Sequence, residues 1–304
     1  MRIMERNPSR RGLLVGLTAA GAALVYPSGA RAFAGEARQA DVTAHLRALE
    51  QAHGARLGVF AHDPHTGRGV AYRADERFPM CSTFKTLAVG AVLRDLDRDG
   101  EFLATRLHYT EQDTAAAGYA PITGRADNLA HGMTVADLCS AAIAYSDNAA
   151  ANLLLRRLGG PAAVTRFCRS LGDPVTRLDR WEPALNSAEP GRITDTSTPR
   201  ALAGSYARLT LGRALDPPHR ELLTGWLLAN TTGADRIRAG LPRDWTVADK
   251  TGTGGYGTAN DVALAWPPSR GPLVLAVLTT KPDAAAAADE PLLAAAASIV
   301  AAHT

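Results

Sequence analysis

Hydrophobic residues form short strand-like runs near both ends of the chain and helix-like runs in its middle. Near the N-terminal end, a helix is predicted at 41–53, and two strands at 56–62 and 69–73 flank an Asp-, Pro- and Gly-containing turn. Near the C-terminal end, strands are predicted at 245–251, 258–266 and 272–280, with a final helix at 284–303.

The middle of the chain is mostly helical in pattern. A buried helix begins near residue 82, where Ser82 and Thr83 are predicted to cap it. Further helices are predicted at 138–145, 149–158 and 161–172, each ending at a polar or glycine break. Residues 173–199 show little periodicity, and unstructured segments of this length are usually functional or disordered. Trp181, Leu185 and Ile193 favour order.

These elements predict a mixed α/β fold. The two ends of the chain, about 35–80 and 224–304, would form one lobe around an antiparallel sheet flanked by helices. The middle, about 81–223, would form an all-helical lobe, and the active site would lie in the cleft between the lobes.

Residues 1–34 resemble an export signal that is separate from this domain of residues 35–304. Arginines precede a short apolar run at 12–26, and the Arg10-Arg11 pair is typical of a twin-arginine signal. An ordinary secretory signal with two adjacent arginines remains the alternative. This segment holds five Arg and one Glu, so removing it turns the formal charge of +3 slightly negative. We therefore expect no nucleic-acid surface and no membrane association of the mature protein.

Ser82 and Lys85 are the first candidate catalytic pair. Their spacing places both on one face of a helix, beside the unpaired N–H groups of its first turn. Only three of the 33 basic residues are lysines, and a desolvated lysine amine can lose its proton whereas a guanidinium cannot. The motif alone is common, and most copies are surface helix starts.

Three further motifs favour a catalytic role for Ser82 and Lys85 over a surface helix start. Ser146-Asp147-Asn148 lies between two predicted helices, Glu182 precedes Asn186 in the long loop, and Lys250-Thr251-Gly252-Thr253 ends a strand. Together and in this order, the motifs resemble those of class A serine β-lactamases and the related penicillin-binding proteins. The resemblance covers essentially the whole chain after residue 34.

The resemblance implies a hydrolase that opens the β-lactam ring through an acyl-enzyme on Ser82, conferring antibiotic resistance. Either Lys85 or Glu182 would be the acylation base. Glu182 would activate the deacylating water, and backbone N–H groups of Ser82 and Thr253 would form the oxyanion hole. The implied catalytic residues are Ser82, Lys85, Ser146, Glu182 and Lys250. The implied substrate-binding residues are Tyr119, Asn148, Asn186, Arg236, Thr251, Gly252 and Thr253.

The resemblance also implies an Ω-type loop at about 180–195. Arg180 and Asp195 would pair to close it, and a cis bond is predicted between Glu182 and Pro183. No metal or organic cofactor is implied, and His62 and His65 lack the companions that a metal site needs. The expected partner is a small β-lactam molecule, and the expected state is an exported monomer.

Three alternatives remain to be weighed. A D,D-peptidase on the same scaffold would lack the Glu182–Asn186 water site, and a β-lactam sensor would usually carry membrane helices. The sequence Asp249-Lys250-Thr251-Gly252-Thr253 also matches the phosphorylation motif of P-type ATPases, but this chain is far too short for such a pump.

The three cysteines are predicted to be buried thiols without a disulfide. Gly254 stands where carbapenem-hydrolysing relatives carry the cysteine that would pair with Cys81.

Overall fold

The structure is a computed structural model that describes the backbone of residues 28–268 and 270–304 and the side chains from residue 39 onward, except residue 269. Most of the predicted export signal lies outside the described residues. Contacts divide the chain into two units, residues 1–37 and residues 38–304. Within the described part of the chain, no helix has the length and hydropathy that a bilayer crossing requires.

Five antiparallel strands form the main sheet, in the order β2-β1-β9-β8-β7. Its members are β1 (Arg56–His62), β2 (Gly69–Tyr72), β7 (Thr246–Thr253), β8 (Ala259–Trp266) and β9 (Leu273–Thr280). The inner strands β8 and β9 are buried along nearly their whole length, which explains their long apolar runs. All five predicted strands are therefore confirmed, with ends that differ by one or two residues.

Four shorter strands form two additional ladders. β3 (Phe78–Pro79) pairs with β6 (Thr196–Ser197), and β4 (Arg106–Leu107) pairs with β5 (Met133–Thr134). The sequence predicted an all-helical lobe for the middle of the chain. This prediction was wrong in part, because the two ladders place short strands there. Two-residue strands leave no periodic signal, because a period of two needs about four residues to be recognised.

Twelve helices complete the described fold. They are α1 (Ser28–Ala52), α2 (Phe84–Ala91), α3 (Glu101–Ala104), α4 (Glu111–Ala117), α5 (Ala126–His131), α6 (Val135–Ala144), α7 (Asn148–Leu158), α8 (Ala162–Ser170), α9 (Pro199–Thr210), α10 (Pro217–Leu228), α11 (Ile237–Gly240) and α12 (Glu290–His303).

The last helix begins six residues later than the sequence predicted. The side chain of Asp289 accepts a hydrogen bond from the backbone N–H of Leu292, and Pro291 occupies the first turn. An Asp cap followed by proline is a strong start signal. The alanines before Asp289 have high helix propensity and follow Asp283, which accepts the Ala285 N–H, but they form only a turn and remain outside the helix.

The sheet separates two hydrophobic cores. On one face, α1, α11 and α12 pack against Leu57, Val59 and Val277. On the other face, Val262 and Leu278 join a larger core that includes α2, α6, α9 and α10. Alternate residues of β1, β8 and β9 point to the two cores, as the period of a strand requires. The predicted α/β architecture is confirmed.

Gly58 on β1 tests how tightly the sheet packs against this larger core. A Cβ at this position would lie 2.5 Å from the Phe78 ring and 2.9 Å from Pro199. We expect Gly58→Ala to lower the free energy of unfolding by about 1–3 kcal/mol, because the buried ring must shift. Urea denaturation measures this change.

Gly225→Ala is the matched control, since a Cβ at this position of α10 has nothing within 4 Å. It is expected to leave stability unchanged or raise it by about 0.5–1 kcal/mol through helix propensity. Equal effects of the two substitutions would contradict tight packing at Gly58.

Candidate active site

Ser82 lies in a short 3-10 turn, Cys81–Thr83, that leads into α2. Neither Ser82 nor Thr83 caps the helix with its side chain, which corrects the predicted role. The hydroxyl of Thr83 instead donates to the carbonyl of Met80 at 2.7 Å. Cys81 has a positive φ of 45°, an uncommon conformation for a residue with a side chain and one that often marks functional sites.

Glu182 connects Ser82 with Lys85. The Ser82 hydroxyl donates to Glu182 Oε1 at 3.3 Å, and Lys85 Nζ lies 3.1 Å from the same oxygen. Lys85 Nζ also donates to the carbonyl of Ser146 at 2.7 Å and to Asn148 Oδ1 at 2.6 Å. The predicted pairing of Ser82 with Lys85 is therefore made through a shared carboxylate oxygen.

Burial opposes the charge on Lys85. Its side chain is fully buried, and desolvation lowers the pKa of the amine, while the Glu182 carboxylate acts in the opposite direction. Because Ser146 O and Asn148 Oδ1 can only accept, they take two N–H groups. The remaining side of Nζ faces Glu182 Oε1 at 3.1 Å and the Ser146 hydroxyl at 3.4 Å.

Ser146 stands between two lysines. It lies on the turn between α6 and α7 with a φ of 57°, and its hydroxyl accepts from Lys250 Nζ at 3.0 Å and from Lys85 Nζ at 3.4 Å. Burial lowers the pKa of Lys250 well below its ordinary value, and the nearby charge of Lys85 adds to this effect. Ser146 is thus placed to receive a proton from an amine that holds it weakly.

Buried polar side chains form a hydrogen-bonded network next to Lys250. Its neighbour Asp249 accepts from Asn230 Nδ2 at 2.6 Å and from Arg238 Nε at 2.6 Å. Asp261 on the adjacent strand is also fully buried, and burial followed by the charge of Asp249 raises its pKa well above the usual value. These polar groups lie around β7, the strand that carries the buried amine of Lys250.

The loop that carries Glu182 is fixed at both ends. Arg180 Nε donates to Asp195 Oδ2 at 2.6 Å, and Asp195 Oδ1 accepts the backbone N–H of Asp179 and of Arg180. The Arg180–Asp195 pair and the cis bond between Glu182 and Pro183 are both as predicted. This ordering corresponds to an Ω loop held by its own side chains.

Asn186 and Asn152 orient the glutamate itself. Asn186 Nδ2 donates to Glu182 Oε2 at 2.5 Å. Asn152 on α7 accepts from the Glu182 backbone N–H at 3.1 Å and donates to the Glu182 carbonyl at 2.9 Å. The side chain and the backbone of Glu182 are therefore both held in place.

A cavity of about 280 Å³ brings the predicted residues together. It is lined by Ser82, Tyr119, Ser146, Asn148, Asn186, Thr232, Arg236, Thr251, Gly252 and Thr253. Tyr119 is half exposed at the opening, as expected for a wall of the cleft. Three larger cavities, of about 750, 600 and 340 Å³, contain none of the predicted site residues.

The strand end at Thr251–Thr253 and Arg236 form the cationic side of this cavity. Arg236 is buried, and its guanidinium donates to the Gly252 carbonyl at 2.9 Å and to Thr253 Oγ1 at 2.7 Å. A hypothetical Cβ at Gly252 would lie 3.2 Å from the Ser82 backbone nitrogen. Glycine thus allows the strand to approach the Ser82 turn closely.

Comparison with known proteins assigns the chain to a family. A sequence model described as "Beta-lactamase enzyme family" matches residues 41–304. A β-lactamase of Streptomyces lavendulae is 64% identical over 282 residues, which cover 92% of each chain. The chain belongs to the class A serine β-lactamase family.

Other relatives agree with this assignment. The solved β-lactamase from Streptomyces albus G is 64% identical, with a TM-score of 0.85 over 86% of this chain and 98% of that one. A protein of Klebsiella oxytoca named carbapenem-hydrolyzing β-lactamase KPC is 53% identical over 236 residues, covering 77% of this chain and 79% of its own length. The protein is therefore an enzyme that hydrolyses β-lactams, an activity that confers antibiotic resistance.

Sequence reasoning missed Thr232 and Asn152 of this β-lactamase site, and it named Asp147 within a motif without giving it a role. Thr232 lies in the cavity, and its hydroxyl is 2.5 Å from that of Thr251. Asp147 caps α7 and accepts the backbone N–H groups of Ile122 and Thr123. For Asn152, a signal was available, since it lies four residues after Asn148 and thus on the same face of the helix.

The cysteines of this β-lactamase are all free and buried. Burial raises the pKa of the Cys81 and Cys139 thiols strongly, which keeps them protonated and unreactive. A Cβ at Gly254 would lie 2.7 Å from Cys81 Sγ. The position of the missing cysteine therefore lies directly beside Cys81.

Asn152→Ala tests whether the backbone of Glu182 must be held for hydrolysis. We expect a loss of about 1–3 kcal/mol in stability, because two partly buried backbone groups lose their partner. We also expect benzylpenicillin turnover to fall by about tenfold or more, because Glu182 loses its fixed position. Thermal unfolding and initial rates measure the two effects.

Asn128→Ala is the matched control, since the Asn128 side chain on α5 donates to the Ile122 carbonyl at 2.9 Å and makes no hydrogen bond to Glu182. It should reduce stability without changing kcat. Normal turnover by a folded Asn152→Ala enzyme would show that the two hydrogen bonds between Asn152 and the Glu182 backbone are not needed for hydrolysis.

Proposed function

We propose that Ser82 opens the β-lactam ring and that Glu182 activates the water which hydrolyses the resulting acyl-enzyme. The observation that carries this proposal is the position of Glu182. One of its carboxylate oxygens contacts both the Ser82 hydroxyl and the Lys85 amine, and the other accepts from Asn186.

Acylation begins with loss of the Ser82 proton. The Lys85–Glu182 pair shares one proton between Nζ and Oε1, so it accepts the serine proton as a unit, whichever partner holds the first one. Ser82 Oγ then attacks the lactam carbonyl. The Ser82 and Thr253 N–H groups receive the developing oxyanion, a role supported by the close approach of the β7 end to the Ser82 turn.

Ring opening needs a proton on the departing lactam nitrogen. Ser146 supplies it, and Lys250, whose Nζ lies 3.0 Å from the Ser146 hydroxyl, replaces it. The lowered pKa of the Lys250 amine favours this transfer. The C–N bond breaks, and the substrate remains attached to Ser82 as an ester.

Substrate binding uses the remaining cavity residues. Arg236, Thr251 and Thr253 receive the substrate carboxylate, with Thr232 as a further hydroxyl on that side. Gly252 lies between the two threonines and permits the strand to approach the ring. Asn148 binds the side-chain amide of the substrate, and Tyr119 covers one face of the bound molecule.

Deacylation distinguishes a β-lactamase from a penicillin-binding protein. The proton taken from Ser82 first returns from Lys85 to Lys250 through the Ser146 hydroxyl, which contacts both amines. A water held by Glu182 and Asn186 then gives its proton to Glu182 and attacks the ester carbonyl, and Ser82 Oγ leaves with a proton returned from the same pair. Penicillins are the proposed substrates, with cephalosporins as a second class. The KPC relative is named for carbapenem hydrolysis, whereas this chain has Gly254 beside Cys81.

We also propose that the enzyme is exported, through a twin-arginine type of signal at 1–34, and works as a monomer. The arginine pair before a short apolar run supports export. No step of the proposed reaction uses a metal ion, a cofactor or a second copy of the chain.

Glu182→Gln tests the mechanism. The variant retains Lys85 as a proton acceptor for acylation but has no base for deacylation, so we expect turnover of benzylpenicillin to fall by about 10²–10⁴. Intact mass should show one penicillin bound to each variant chain and little or none on the unsubstituted enzyme. Peptide mapping should place the adduct on Ser82.

Glu189→Gln makes the same chemical change on the same loop, where Glu189 contacts Ser187 and Arg192 near the surface. This control should turn over normally. Rapid turnover by Glu182→Gln, or a lasting adduct on the unsubstituted enzyme, would overturn the proposed role of Glu182.

A further inference from the structure

Two histidines and an aspartate meet where the N-terminal and C-terminal helices adjoin. Asp41 and His45 are one turn apart on α1, and His303 lies at the end of α12. One potential ligand atom from each residue lies within 4.8 Å of the other two. Among the described residues, this is the one such group of three metal-ligating side chains, and His62 and His65 are not part of it.

The geometry of this group suits a small tetrahedral ion. His303 Nε2 lies 3.4 Å from Asp41 Oδ2, and His45 Nδ1 lies 3.8 Å from the same oxygen. Ligand atoms around tetrahedral zinc, with bonds of about 2.0–2.1 Å, are roughly 3.3–3.4 Å apart. Small side-chain rotations would therefore complete three of the four positions, with water as the fourth ligand.

The second nitrogen of His303 is already oriented. His303 Nδ1 lies 2.7 Å from the carbonyl of Ile299, which can only accept, so Nδ1 carries the proton. Nε2, 3.4 Å from Asp41 Oδ2, is therefore the ring nitrogen that faces the other two side chains and whose lone pair a cation would use. An Nδ1–H bond to a backbone carbonyl is the usual support for a metal-bound histidine.

We propose that Asp41, His45 and His303 bind a Zn²⁺ ion that links α1 to α12. Imidazole nitrogens favour zinc and its first-row neighbours over Mg²⁺, and the single carboxylate completes a common zinc ligand set. This site is separate from the cleft, since none of the three residues lines the cavity around Ser82. The ion would stabilise the fold without entering the reaction.

Calorimetric titration of the untagged, EDTA-treated protein with ZnCl₂ tests this proposal. We expect one saturable Zn²⁺ per chain, a higher melting temperature in its presence, and no such response to MgCl₂. His45→Ala and His303→Ala should each weaken Zn²⁺ binding by about tenfold or more and remove the thermal shift. The side chain of His45 is 56% exposed, so its removal leaves the fold intact.

His131→Ala is the matched control. His131 and Asp127 form the same Asp–His pair one turn apart on α5, with a distance of 3.0 Å, but no other histidine joins them in the described structure. Zinc binding should be unchanged in this variant. Absence of saturable binding by the unsubstituted protein, or equal affinity in the His45→Ala variant, would overturn the proposal.

Discussion

The active site depends on keeping two lysine amines in a dry interior beside two serine hydroxyls. Lys85 and Lys250 both have fully buried side chains, and taking an ammonium out of water is costly unless it has charged or hydrogen-bonding partners. The surrounding structure supplies those partners from widely separated parts of the chain. Removing one partner of such a pair commonly costs about 3–5 kcal/mol.

Each buried amine has its own support. Lys85 is held by Glu182 from the Ω loop and by Asn148 from the start of α7. Lys250 on β7 donates to the Ser146 hydroxyl and to the Thr251 carbonyl, and the nearby Asp249 and Asp261 carboxylates favour its charge. The Ω loop, the α6–α7 turn and the β7 edge thus meet because the two amines require acceptors, and their meeting creates the cleft.

Short-range sequence signals predicted what depends on local structure. The strands of the main sheet, the helix behind Ser82 and the order of the four motifs are all encoded in neighbouring residues. Capping side chains were less predictable. Ser82 and Thr83 look like caps in sequence, but the chain enters α2 through a 3-10 turn that directs Ser82 towards Glu182.

Long-range contacts could not be predicted from the pattern alone. Asn152 clamps Glu182 across 30 residues, and Asp147 reaches Thr123 across 24. Thr232 becomes part of the cavity only because its turn packs against β7. The Asp41–His45–His303 group likewise forms from opposite ends of the chain. Apart from the helical spacing between Asn148 and Asn152, these residues show no periodicity in sequence, and only the folded arrangement brings them together.

Because the chain has only three lysines, the ionisation of the two buried amines can be measured directly. Carbon-13 labelling of lysine at Cε, followed by NMR titration, reports the ionisation of Lys85, Lys250 and Lys281, assigned with single Lys→Arg variants. Burial lowers the pKa of Lys85 and of Lys250, so both signals should titrate below the ordinary value of 10.5, with Lys250 the further displaced. If both buried lysines titrated at or above 10.5 in the folded enzyme, the proposed lowering of their pKa by desolvation would be contradicted.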